Sequence, residues 1–203
     1  MPITYPITLP STPGPVSIKW SPISVVNEQE SPFSLVSKVY AWSGQKRYVT
    51  VQLPPLNIDQ AKEWSTFPYQ LNGIEGTFYL RDEIGKYLRG FASGVGRVKG
   101  ANQTGIDLIT DGWLPFTLDL FKRGDWIQVG SRLHTVLKDV DSSSTGEATL
   151  TLWPRIRTAP ADNLVIPYGE DAIGIFRLVS FPEYGWDVDL LMNGFAFQAK
   201  EAI

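Results

Sequence analysis

Lys46-Arg47-Tyr48-Val49-Thr50-Val51-Gln52-Leu53, followed after Pro54-Pro55 by Leu56-Asn57 and the segment Ile58 to Leu71, decides the fold. In the first part, Arg47 begins a row continued by Val49, Val51 and Leu53, while Lys46, Tyr48, Thr50 and Gln52 fill the other face. Strict alternation of this kind marks an antiparallel strand buried on one side. In the second part, Ala61, Trp64, Phe67 and Leu71 recur at spacings of three and four, which places one apolar stripe on a helix. Asn57 is a suitable N-cap with Gln60 three residues on, and Leu56 and Ala61 occupy the hydrophobic-staple positions. Pro68 kinks or shortens this helix and Asn72-Gly73 ends it. A half-buried strand followed at once by an amphipathic helix predicts a sheet with the helix packed on its apolar face.

Upstream, Leu35 to Trp42 and the turn Ser43-Gly44-Gln45 make a hairpin with the 46–53 strand. Val16 to Val26 is extended, and Pro22 assigns it to an edge or a bulge because proline cannot donate to a ladder. The first fifteen residues carry Pro2, Pro6, Pro10, Pro13 and Pro15 among Ser and Thr. They form an extended arm, lying on a neighbour or fraying. Downstream, Gly76 to Arg81 is strand-like, and Gly90 to Gly100 is a glycine-rich crossing point between domains. Short strands then follow at 116–121, 126–129, 133–140 and 148–153, joined by Lys122-Arg123-Gly124-Asp125, Gly130-Ser131 and the loop 141–147. So many strands in so few residues predict a small barrel. Beyond Pro167-Tyr168-Gly169 the alternation resumes in Ile173 to Ser180, Trp186 to Leu190 and the row Phe195, Phe197, Ala199. These strands have no helix of their own, so they are expected to complete the first sheet. The expected organisation is a β-sandwich of residues 1–92 plus 170–203, its helix near 58–71, split by an inserted barrel of residues 93–169, OB-like or similar.

Composition narrows the function. The 203-residue chain holds 18 Lys plus Arg against 21 Asp plus Glu, a net charge of -3, so charge-driven duplex binding is disfavoured. It has no cysteine, which excludes disulfides, thiolate nucleophiles and sulfur-ligated metals. The proline-broken N-terminus is not a signal peptide, and no apolar run is long enough to cross a bilayer.

Each chemical signature has a plainer structural reading. His134 is the single histidine and lies on an expected strand without a partner at triad or metal-motif spacing, which favours a hydrogen-bonded structural role. Gly94-Val95-Gly96 with Gly100 superficially resembles a phosphate-binding loop but lies between strands, where such loops do not work. The carboxylate pairs Asp187 with Asp189 and Asp139 with Asp141 have the two-residue spacing of one strand face and fit solvated edges better than a glycosidase pair. Asp107 and Asp111, placed in a polar loop, lack the remaining ligands of a calcium site. Arg123-Gly124-Asp125 spells an integrin tripeptide and fits a tight turn. Arg155 and Arg157 share one extended face and suit anion binding or, preferably, an interface. The seven tryptophans are dispersed, which suits core and subunit contacts. No catalytic, cofactor-binding or metal residue is assigned and no cofactor is expected.

Three stretches together carry a resemblance. Pro54-Pro55-Leu56 leading into the Trp64 helix and Leu71-Asn72-Gly73-Ile74-Glu75-Gly76-Thr77-Phe78-Tyr79-Leu80-Arg81-Asp82 form the first. The second comprises Gln103-Thr104-Gly105, Thr110-Asp111-Gly112-Trp113, the run Lys122 to Gly130, and Gly146 to Leu150 through Trp153-Pro154. Phe176-Arg177-Leu178 and the strands from Trp186 to Ala199 form the third. Nearly the whole chain thus resembles the distal tail proteins of long, flexible-tailed bacteriophages. The resemblance implies a tail-tube-like β-sandwich with a flanking helix and an outward-facing barrel. It also implies a hexameric ring in the virion tail tip, assembled in the host bacterial cytoplasm, that joins the tail tube to the baseplate hub and host-recognition proteins. Family members are not enzymes, so no catalytic residue carries over. DNA is expected to pass the lumen without specific binding, which an acidic balance favours, and no membrane insertion is expected. A tail-tube or connector subunit is the alternative within this class, and a carbohydrate-binding module the alternative outside it.

Overall fold

The computed structural model describes residues 3–185 and 194–202, so the expected strand Trp186 to Leu190 and the pair Asp187 and Asp189 lie outside the described residues. The chain is mainly β with one helix and two five-stranded antiparallel sheets, one of them curled into a half-barrel. In chain order the elements are β1 (Ser17–Glu30), β2 (Ser37–Gln52), α1 (Ile58–Gln70), β3 (Phe78–Leu80), β4 (Gly94–Val98), β5 (Gly105–Trp113), β6 (Trp126–Val129), β7 (Arg132–Val136), β8 (Ala148–Ile156), β9 (Gly174–Leu178) and β10 (Ala196–Glu201).

The first sheet runs β1-β2-β10-β9-β3, so strands from the two ends of the chain are interleaved. Ala199 stands beside Val49 on one side and Leu178 on the other. The alternating rows of β2 and β10 face one core, in which Val49, Val51, Phe197 and Ala199 meet Ala61, Trp64, Phe67 and Leu71 of the helix segment. The rings of Trp64, Phe67, Phe78, Phe195 and Phe197 pack against one another at centroid separations of 5.2 to 6.5 Å. α1 begins with a complete capping box. Asn57 accepts from the Gln60 backbone N–H, and the Gln60 side chain accepts from the Asn57 N–H. Its end is fixed by Asn72 and Gly73, both in the left-handed region at φ 48° and 68°.

Residues 3–15 neither fray nor leave the protomer. Ile7 pairs in parallel with Phe78, Tyr5 donates to the Gln70 carbonyl, and the Trp64 indole donates to the Thr12 carbonyl. The arm therefore forms, with α1, the second layer over the first sheet.

The expected hairpin turn at Ser43-Gly44-Gln45 is instead the middle of a 16-residue strand. Ser24 pairs with Gln45 and Val26 with Ala41, so β2 spends extra residues at a bulge there. Gly44 is needed because a Cβ would stand 2.8 Å from the Val25 side chain. The true reversal is Ser31 to Val36, where the Ser31 N–H donates to the Val36 carbonyl. Pro22 does lie on an edge strand, opposite Arg47.

The second sheet runs β4-β5-β8-β7-β6. Its two edges are joined by residues 163–168, which bond to β4 through Val98 and Ile166 and to β6 through Gln128. Two further expectations are corrected. Residues 116–121 are not a strand: Phe116 and Asp119 have φ of 54° and 53°, and Phe121 alone makes an isolated bridge. The glycine-rich segment 90–100 is not simply a linker but contains β4. Gly96 is there because Trp113 covers it, and an added Cβ would stand 2.0 Å from the indole. Trp113 cannot yield readily. Its N–H donates to Thr110, which donates to the Ala148 carbonyl, and its ring packs edge-on against Phe121.

Gly96→Ala is accordingly expected to destabilise the protein by about 3 kcal/mol through overpacking. Val95→Ala, at an exposed neighbour, should change stability by less than about 0.5 kcal/mol. Urea unfolding of the two variants checks this, and equal midpoints would refute the account.

Candidate interaction surface

Two features stand out, an arginine-centred junction between the sheets and a projecting ribbon. Arg47 sits on the apolar row of β2, yet its side chain is only 3% exposed. One terminal nitrogen reaches the Leu133 carbonyl and Glu201, the latter at 3.3 Å. The other donates to Thr135 Oγ1 at 2.8 Å and the Trp153 carbonyl at 3.0 Å. Its guanidinium lies over the rings of Trp126 and Trp153, at 4.5 and 4.8 Å from their centroids. Glu201, equally buried on the apolar row of β10, also accepts from the Arg47 backbone N–H at 3.1 Å and from Arg132 at 2.9 Å. Burial pulls the Arg47 pKa down to about 10 against the opposing pull of Glu201, so the group stays charged at neutral pH. One side chain thus ties β2 and β10 of the first sheet to β7 and β8 of the second. Trp20 adds an aromatic contact to Trp126 at 5.2 Å.

The sequence-predicted residues lie around this frame. His134 is buried beside the junction, where Nδ1–H donates to the Pro154 carbonyl at 2.7 Å. Asp125 of the Arg-Gly-Asp tripeptide is 2% exposed. Its carboxylate accepts from the backbone N–H groups of Arg89, Gly90 and Lys122, a structural use of the acid that an integrin ligand would need free. Asp139 and Asp141 each accept one backbone N–H, from Arg123 and Asp119 respectively. The first of these bonds holds the Asp139 carboxyl below the usual carboxylate range. Asp107 and Asp111 belong to β5, not to a loop, and Asp107 accepts from Thr151. Among the described residues no group of three or more His, Asp or Glu is placed to hold a metal ion. Arg155 is half-buried at the junction, where its backbone N–H donates to the Gln45 side chain, while Arg157 is exposed.

The β1–β2 hairpin runs far beyond the sheet that anchors it. From Ser21 to Ser43 only Ser31 is partly covered. Ten residues of β1 lie in this span, so at the rise of an extended strand the ribbon reaches out about 30 Å. It is apolar as well as exposed: Phe33 is 98% accessible and Leu35 73%, with Ile23, Val26, Val39 and Trp42 around half. A two-stranded ribbon is marginal alone in water, and an apolar patch of this extent marks an interaction site. A second exposed apolar group, Phe91, Leu114, Phe116 and Leu118, lies on two segments joined by the Phe91–Asp119 and Leu114–Ser93 backbone bonds.

Sequence reasoning missed the Arg47–Glu201 pair, although its signal was present. Arg47 heads one apolar row, and Glu201 continues the row Phe195, Phe197, Ala199. Arg47→Met is expected to cost about 3 kcal/mol because it removes one of the two cations paired with Glu201 and leaves the Leu133 and Trp153 carbonyls without their donor. Glu201→Gln should cost about 1 kcal/mol less in that background than in the parent, because only Arg132 then loses its carboxylate, whereas additive effects would show that Arg47 and Glu201 are not coupled. His134 yields a pH dependence. Burial pushes its pKa down to about 3 from 6.5, so the unfolded chain takes up a proton first. Its contribution is complete above pH 6.5 and is lost as pH falls toward 3, by at most about 1.4 kcal/mol per unit. Urea unfolding between pH 7.5 and 4 should show a shallower decline for His134→Asn than for the parent. Neither a protein-family model nor a curated protein matches the chain.

Proposed function

We propose that this protein is a structural subunit that assembles into a hexameric ring at the distal end of a long flexible phage tail. The projecting apolar ribbon is the observation that carries the assembly part of this reading. A closed ring needs a heterologous contact, in which one patch of each protomer meets a different patch of the next. The ribbon and the Phe91–Phe116 patch are two such surfaces on one chain. The phage-tail part rests on the resemblance carried by the helix segment, the Lys122 to Gly130 run and the closing strands. In this reading the first sheet builds the ring between the tail tube and the baseplate hub, and the half-barrel offers docking surface to host-recognition proteins. A net charge of -3 suits a conduit through which DNA slides without being held.

Electron microscopy of the purified protein tests the reading, with six-fold rings around a central opening as the expected result. The triple variant Phe33→Ser, Leu35→Ser, Trp42→Ser removes exposed apolar groups without touching either core. It is expected to run as a monomer with an unchanged unfolding midpoint. Monodisperse monomers of the parent protein at high concentration would defeat the proposal.

A further inference from the structure

A cavity of about 360 Å³ opens beside the junction, between the β6–β7 turn, the segment after β8 and the end of β10. That volume lies within the range of small-ligand pockets. Its polar lining is Ser131, Arg132, His134, Arg157 and Thr158, with no carboxylate among the described lining residues. Val129, Ile156 and Leu164 supply apolar wall.

We propose that this cavity binds an organic carboxylate, its charge held by Arg157 and Arg132, its apolar body against Val129, Ile156 and Leu164, and His134 hydrogen-bonded to it through Nε2.

Three observations carry the assignment. First, His134 is 2% exposed, and Nδ1 is committed to the Pro154 carbonyl. Nε2 has no partner among the described residues, while the ring lines the cavity. Second, the local charge is positive although the chain is acidic. Arg47 and Arg132 share the single carboxylate of Glu201, which is sealed from solvent, and Arg157 adds a further positive charge. Third, the buried Nε–H of Arg132 has no acceptor among the described residues, so the group is not saturated by Glu201 and the Gln45 carbonyl.

Binding is linked to protonation. Among the described residues the charges acting on His134 in the free protein are Arg132 from its own strand and Arg47 from β2, both positive, with Glu201 from β10 spent on those two arginines and Arg157 also lining the cavity. An incoming carboxylate reverses that balance and favours the imidazolium, which donates from Nε2 while Nδ1–H keeps Pro154. Affinity therefore rises as pH falls. The site exists whether or not the protein forms a ring.

Benzoate is the probe and inorganic phosphate the comparator, with the full chain followed by NMR of the His134 imidazole. The expected result is saturable benzoate binding, about tenfold tighter at pH 5 than at pH 8, with the His134 pKa raised from about 3 to about 6 at saturation. Arg157→Gln should weaken binding at least fivefold without moving the unfolding midpoint, because Arg157 is exposed. Absence of saturable shifts at His134, or unchanged affinity in Arg157→Gln, would overturn the proposal. Phosphate binding as tightly as benzoate would overturn the organic-carboxylate assignment, since it would mean that the apolar wall contributes nothing.

Discussion

Arg47 is the constraint on which the two sheets depend. A guanidinium cannot be left dry and unpaired, and the groups that satisfy it come from β10, β7 and β8. The pairing with Glu201 spans 154 positions of the chain. The chain must therefore complete the second sheet and return before its first sheet can close. A buried ion pair is a poor source of net stability compared with a well-packed apolar pair. Its value here is geometric. Three backbone or hydroxyl acceptors and two tryptophan faces define one orientation of β7 and β8 against β2, which an aliphatic side chain would not select.

The two sheets manage their edges in different ways. The half-barrel uses residues 163–168 to bridge from β4 to β6, so both of its edges find backbone partners. The first sheet ends in β1, where Pro22 blunts the ladder, but the same strand continues into a ribbon with no third strand beside it among the described residues. One part of the chain has thus been closed against association and another left open to it. The open part also carries the most accessible aromatic side chain described, Phe33, at the tip. That asymmetry fits the ring assembly proposed above.

Much of the fold was legible because local rules and tertiary demands agreed. Asn57 with Gln60, the Ala61–Trp64–Phe67–Leu71 stripe and the rows of β2 and β10 each specify a face, and each face found a core. Several of the failures share a cause, which is that glycine and aspartate serve several backbone purposes that only distant neighbours distinguish. Gly44 resembles a turn, but it makes room for Val25 at a bulge; Gly96 resembles a linker, but it makes room for Trp113. Asp107 and Asp111 suggested a loop, although the Leu108–Thr110 alternation between them continues a strand. His134 was legible as structural and hydrogen-bonded, but the cavity beside it was not, because its walls come from four separated segments.

The junction and the cavity are one electrostatic system. Two arginines already compete for Glu201, so a proton on His134 would place a third positive charge beside them in a region largely closed to water. The same field that repels a proton attracts an anion. Stability and ligand binding at this place are therefore opposed consequences of a single decision in the sequence, to bury two cations with one carboxylate. A more balanced junction, with a second acid, would relieve His134 and at the same time remove the reason for an anion to enter.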